Sequence, residues 1–197
     1  MPAHASPIAD ERQAIIAFLG QQHLGLRTAA YGLTDEQARS APSASQLSIG
    51  GLLKHVRSAQ ASWIERVGAA PDSPQPDQRS DAERATAHQA EFQLAEDETL
   101  SDVLDAFDRA NQHALEVIRQ ADLEAAVPVP NAPWFPKDLD AWSVRWVLFH
   151  LIEEIARHAG HADIVRESID RATFYSLLGA VEGWPETAWL KPWRPQS

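Results

Sequence analysis

The chain has 197 residues, 44% of them hydrophobic and 23% charged, a globular balance that argues against wholesale disorder and collagen-like repeats. Asp plus Glu outnumber Lys plus Arg by 28 to 17, a formal net charge of −11; with no Lys/Arg run to neutralise phosphates, nucleic acids and anionic membranes are poor partners. Cysteine is absent, which excludes disulfides, thiolate metal ligands and a cysteine nucleophile, leaves His, Asp and Glu to hold any metal, and requires any thiol to come from outside.

Helical periodicity dominates, with no sustained period-2 alternation and no Asn-Gly or Asp-Gly hairpin signal. The N-terminus, MPAHASPIADERQ, lacks the basic region and apolar core of a secretory signal. No apolar run reaches the roughly 20 residues of a membrane span, so the expected address is the cytoplasm. A first helix is expected from Pro7, a favourable first helical residue, to Tyr31, burying Ile8, Ile15, Leu19 and Leu26 and stopping at Gly32. TDEQARSAPSAS reads as a connector with one helical turn. A second helix runs from Ser48 to Val67 with a broad apolar arc, and the Gly, Pro and Asp of GAAPDSPQPDQ end it in an exposed loop. A weak polar helix fits residues 81–94. The third long helix, Thr99 to Ala121, opens on a capping pattern of Thr99 and Asp102. The prolines of VPVPNAPWFPKDLDA forbid a helix, and Trp134 and Phe135 are expected to fold this loop over the body. The fourth long helix is Ser143 to Asp170, and a short one follows at Phe174 to Glu182. GWPETAWLKPWRPQS is too aromatic for a free tail and should pack on its own subunit or a neighbour. Four long helices with such loops fit an all-α four-helix bundle, a single domain over 1–197 whose residues 173–197 form the short helix and packed tail.

The chemistry concentrates in SVRWVLFHLIEEIARHAGHADIVRE. At about 100° per residue, His150, Glu154, Arg157, His158 and His161 share an arc about 100° wide. Apolar residues occupy much of the remaining circumference, Val147, Leu148, Leu151, Ile155 and Ile164 among them, so this is a polar stripe beside the core. Groups four residues apart stand one above the other, the spacing by which a helix offers two ligands to one metal. His150 with Glu154 and Glu154 with His158 have that spacing, and His158 with His161 is a workable pair three apart. A third ligand must come from another helix. His55, at the margin of the second helix's apolar arc among Ser48, Ala59 and Ser62, has room around it for an ion and a bound molecule. Two His and one Glu leave open positions, as in catalytic sites, and suit zinc or iron(II). The competing reading is a hydrogen-bonded core histidine at His55 and a salt-bridge ladder from Glu153 and Glu154 to Arg157. His4, His23, His88 and His113 lack ligand-spaced partners and read as surface or local structural residues; Trp63 and Trp146 read as core.

Three segments, LSIGGLLKHVRSAQASWIERV, TLSDVLDAF and above all SVRWVLFHLIEEIARHAGHADIVRESID, together with the closing GWPETAWLKPW, resemble the DinB-like superfamily of metal-binding four-helix bundles. The resemblance is greatest to the branch of mycothiol-dependent maleylpyruvate isomerase and related thiol transferases, and it spans essentially the whole chain. It implies an up-down-down-up bundle and a divalent metal, zinc first with nickel or iron as alternatives, held by His55, Glu154 and His158. His161 stands where many members have Gln, as a fourth ligand or a neighbouring base. The implied activity is a transferase or isomerase using a low-molecular-weight thiol such as mycothiol on an electrophilic substrate, with Arg157 or His161 orienting an anion or moving a proton. A homodimer is consistent with the resemblance. Two other readings stand beside it: a non-catalytic metal-binding stress or interaction protein, and a metal-dependent hydrolase.

Overall fold

The computed structural model describes residues 3–132 and 135–195. Its helices are α1 (Glu11–Ala29), α2 (Asp35–Arg39), α3 (Ile49–Ala69), α4 (Asp81–Glu91), α5 (Leu100–Gln120), α6 (Val144–Asp170) and α7 (Phe174–Val181), with strands β1 (Ala126–Pro128) and β2 (Ala141–Ser143) between α5 and α6. Each long helix starts where a short polar side chain can accept an orphan backbone N–H. Thr99 accepts from the Asp102 N–H, and Ser48 and Ser143 do the same for α3 and α6. The first helix begins later than its proline suggests. Asp10 accepts from the Gln13 N–H and caps the helix there, leaving Ile8 exposed rather than in the buried stripe. Gly32, at φ +70°, supplies the left-handed turn beyond α1.

The long helices form a bundle whose directions follow from their contacts. Arg145 at the start of α6 pairs with Glu11 at the start of α1 at 2.8 Å, while Arg166 near the end of α6 donates to the Ala29 and Tyr31 carbonyls. These two helices are therefore parallel. Lys54 early in α3 bonds Glu98 just ahead of α5, and Gly68 faces Val117 near the other end, so that pair is parallel too. Between the pairs the sense reverses: Arg12 donates to the Ile118 and Ala121 carbonyls at the end of α5, and His55 and Trp63 of α3 meet His158 and His150 of α6. The order is up-down-down-up. The interior is built on Leu19, Leu52, Phe107, Ile118, Leu148 and Leu151, all essentially inaccessible.

Three details depart from the expected pattern. The proline-rich loop is bounded by a small antiparallel pairing of Ala126 with Ser143 and Val127 with Trp142. Strands this short are too brief to leave a period-2 signature. Trp146 is 43% exposed rather than core. The tail packs on its own bundle only in part. The Trp193 ring lies over the buried Arg166 guanidinium, its Nε1–H donates to Asp170 at 3.0 Å, and its edge fills the space beside Gly32. Trp189, by contrast, stands 96% exposed. Phe135 packs against Trp63 and Trp142 as expected of a loop folded over the body; Trp134 lies outside the described residues.

Candidate metal centre and cleft

His55 and the Glu154–His158 pair meet where α3 and α6 cross. The four-residue spacing puts Glu154 and His158 on one face of α6, with Glu154 Oε1 3.2 Å from His158 Nε2. From α3, His55 Nε2 reaches to 3.9 Å from the same carboxylate oxygen, and the two imidazole rings lie edge to face at 4.8 Å. One ligand atom from each of the three lies within 4.8 Å of the others. Donors at 2.0–2.1 Å from a tetrahedral ion stand about 3.3 Å apart, so small side-chain movements would bring this set to coordination distance. Burial first, and then the neighbouring His55, hold His158 below the ordinary imidazole pKa. The neutral form so favoured is the one that can ligate.

Each imidazole has its second nitrogen engaged. His158 Nδ1 lies 3.5 Å from Nδ1 of the exposed His161. His55 Nδ1 lies 3.4 Å from Glu91 Oε2, and Ser58 Oγ donates to the other Glu91 oxygen at 2.5 Å. Phe92 stacks on the His55 ring at 4.1 Å. Metal-bound histidines characteristically have such outer partners, which fix the tautomer and ring orientation.

The remaining polar residues of α6 part company. His150 stacks on Trp146 at 5.4 Å and meets Trp63 edge to face at 5.1 Å, joining an aromatic wall rather than the donor set. Arg157 is at the surface, 3.5 Å from Glu153, one rung of the salt-bridge ladder. His88 corrects its reading as a residue without ligand-spaced partners. Its Nδ1 is 3.4 Å from Glu91, and His55, His88 and Glu91 form a second group with metal-ligand proximity. Neither His88 nor Glu91 has a periodic relation to His55, because the loop after α3 intervenes. One signal was present in Ile49-Gly50-Gly51. Paired glycines in the first turn of a helix weaken it unless another segment must come close. Here a Cβ on Gly51 would lie 2.0 Å from the Phe92 carbonyl oxygen. His23 is the local structural residue expected, hydrogen-bonded in the core to Gln60 at 2.6 Å.

A cleft of about 1370 Å³ opens onto His55 and Glu154, with Trp63, His150, Phe135 and Arg66 also in its wall. That volume exceeds the 300–1,000 Å³ typical of small-molecule sites. The model of mycothiol-S-transferases matches residues 14–171. The chain belongs to the mycothiol-S-transferase family. It falls within the DinB-like superfamily. Among solved structures, it is similar to that of a conserved protein from Enterococcus faecalis, with 16% identity, 82% of this chain and 98% of that chain covered, and a TM-score of 0.54, a likeness of fold. No curated protein matches.

In this mycothiol-S-transferase family member the cleft also carries guanidinium groups, the anchors an anionic substrate would need. Arg84 is committed to Asp81 and the Arg79 carbonyl. Arg66 has no ion-pair partner among the described residues. It stands about 16 Å along α3 from His55, on the same face of the helix. No described helix is long and apolar enough to cross a membrane.

Proposed function

We propose that the protein transfers a low-molecular-weight thiol, mycothiol or a relative, to an electrophilic small molecule, using a divalent ion held by His55, Glu154 and His158. Zinc is the metal proposed, with nickel and iron(II) as the alternatives the same nitrogen and oxygen donors accept. The observation carrying this reading is the convergence of three donors, two of which line an open cleft wide enough for a thiol conjugate. A resident divalent ion would supply Lewis acidity, lowering the pKa of a thiol placed in its open position.

The chain's own residues would do the rest. Glu91 and His161 would orient the two imidazoles. Trp63, Phe135 and His150 would wall the cleft and limit water around the reacting sulfur. Arg66, without an ion-pair partner among the described residues, takes the anion-orienting role that Arg157, committed to Glu153, is poorly placed to fill. The reaction forms a bond from sulfur to the electrophilic carbon as the leaving group departs with its electron pair. The thiol proton passes to solvent through the cleft mouth. With no cysteine, the chain cannot capture the cofactor in a mixed disulfide. A cytoplasmic location, where such thiols are kept reduced, is proposed with it.

The test is conjugation of mycothiol to monochlorobimane by protein reconstituted with one zinc per chain. Turnover abolished by EDTA and by His158→Ala supports the reading; turnover unchanged by both rejects it. Zinc binding without turnover toward any thiol would favour the non-catalytic metal-binding reading, and ester hydrolysis without thiol would favour the hydrolase.

A further inference from the structure

We infer that Glu91, the last residue of α4, is a positioning residue for the metal centre: its carboxylate takes the Nδ1–H of His55 and so fixes Nε2 as the nitrogen presented to Glu154 and His158. The inference rests on the metal reading above. A neutral imidazole has one N–H and one lone pair. His55 Nε2 is the atom on the Glu154 side, 3.9 Å from its carboxylate. For Nε2 to offer its lone pair, Nδ1 must carry the hydrogen and meet an acceptor. An ionised carboxylate can only accept, and Glu91 Oε2 is there at 3.4 Å.

Glu91 is itself held in place. Ser58, three residues beyond His55 on α3, donates to Oε1, and His88 approaches Oε2 at 3.4 Å. The following residue, Phe92, stacks on the His55 face with rings 22° from parallel. One short segment thus grips the imidazole by its edge and its face. Gly50 and Gly51 make that approach sterically feasible: added Cβ atoms would lie 2.9 Å from Leu94 Cβ and 2.0 Å from the Phe92 carbonyl oxygen. α4 buries no residue of its own, so the contacts at its C-terminal end anchor it beside the site. His55, His88 and Glu91 are also close enough to hold a separate ion. That arrangement would need the Nδ1 lone pair of His55, which is absent whenever Nε2 ligates as a neutral ring. The His88 side chain is moreover 65% exposed.

The test uses the full-length protein, zinc as the probe, and a competing chromophoric chelator to measure affinity and stoichiometry. Nitrogen-15 spectra of the metal-free protein report the His55 tautomer. One zinc per chain is expected, with Glu91→Ala weakening affinity about 10- to 100-fold and Glu91→Gln, whose amide oxygen still accepts, recovering part of the loss. Ser58→Ala and His88→Ala should each fall between wild type and Glu91→Ala, both still binding one zinc per chain. Metal-free wild type should show the Nδ1–H form, and Glu91→Ala the Nε2–H form. Two zinc ions per chain, one of them lost in His88→Ala, would overturn the inference in favour of a second metal site. Unchanged affinity and tautomer in a Glu91→Ala protein with wild-type circular dichroism would overturn it as well. Zinc binding by none of the proteins, with the tautomer still governed by Glu91, would overturn the metal reading and, with it, the purpose assigned to Glu91.

Discussion

Replacing His23 by Gln should flatten the acid limb of the protein's stability curve. His23 on α1 is buried, its Nε2 2.6 Å from Gln60 Oε1, and Gln60 in turn donates to Asn111 Oδ1 at 2.9 Å. The chain α1–α3–α5 is thereby pinned by polar groups whose directions are mutually fixed: Gln60 uses its NH₂ on Asn111 and its oxygen on His23, so His23 is the neutral Nε2–H tautomer. Burial lowers its pKa from 6.5 to about 4. Between those two values the unfolded chain binds the proton and the folded chain does not, so stability falls as pH drops through the window. The 2.5-unit difference at about 1.36 kcal/mol per unit amounts to about 3 kcal/mol between pH 7 and pH 4.

Urea titrations of metal-free protein, followed by tryptophan fluorescence at half-unit steps of pH, measure this slope. At pH 7 the variant should be less stable by about 1–3 kcal/mol, having lost a buried hydrogen-bond partner and the edge-to-face contact with Phe107. On acidification wild type should lose that advantage and the two curves should converge or cross near pH 4.5. Other groups titrate nearby, including His158, also lowered, and Asp163, raised to about 6. They are common to both proteins and cancel in the difference. Parallel curves from pH 7 to pH 4 would refute the reasoning.

Arg66→Ala should raise KM for an anionic electrophile about tenfold, the loss of about 1.4 kcal/mol expected for one charge-assisted contact, while leaving KM for a neutral electrophile unchanged; steady-state kinetics with a matched pair of substrates decide it. Arg166 is 0% exposed and makes a bidentate pair with Asp170 as well as two bonds to the carbonyls ending α1. Arg166→Ala removes the guanidinium that pairs with Asp170 and bonds those carbonyls, and should cost about 3–5 kcal/mol in urea unfolding. Asp163 lies half-buried near Glu167, and burial lifts its carboxyl to about 6. A raised acid pKa means the folded state holds the proton longer, so stability is lost as pH climbs from 3.8 toward 6. Asp163→Asn should therefore gain on the order of 1 kcal/mol at pH 7, after discounting for solvent screening, and nothing at pH 3.5.

The four long helices were legible because each carries an apolar period long enough to read and a Ser, Thr or Asp where its backbone N–H groups need an acceptor. The Glu154–His158 pair was legible for the same reason: both residues obey one helix's period. His55 could be suspected from its small neighbours on α3, and the crossing of α3 with α6 supplies what periodicity could not. Glu91 and Phe92 escaped because their relation to His55 is purely tertiary. Trp146 was misplaced because α6 carries apolar residues on nearly every side, so its sequence does not mark which of them α1 and α3 cover. Pro7 misled at the first helix because proline tolerates a helix start without demanding one, whereas the Asp10 carboxylate makes a bond that selects it.

The position of the donor set also bears on how such a cleft could change shape while keeping its three donors together. His55, Glu154 and His158 sit on α3 and α6, the helices that also carry the core residues Leu52, Leu53, Leu151 and Ile155, each at most 1% exposed. Other groups in the cleft wall come from elsewhere: Pro128 and Phe135 from the proline-rich loop, and Asp77 and Arg84 from the segment leading into and along α4. Substitution in those loops changes little buried surface, while a turn of α3 by one residue, about 100°, would swing His55 away from Glu154 and expose a core leucine together. Donor geometry is thus tied to the packing of α3 and α6, and the rest of the cleft wall in part to the segments between the long helices. Glu91 is the point where the two meet, since it lines the cleft and also stands 3.4 Å from Nδ1 of the His55 ring.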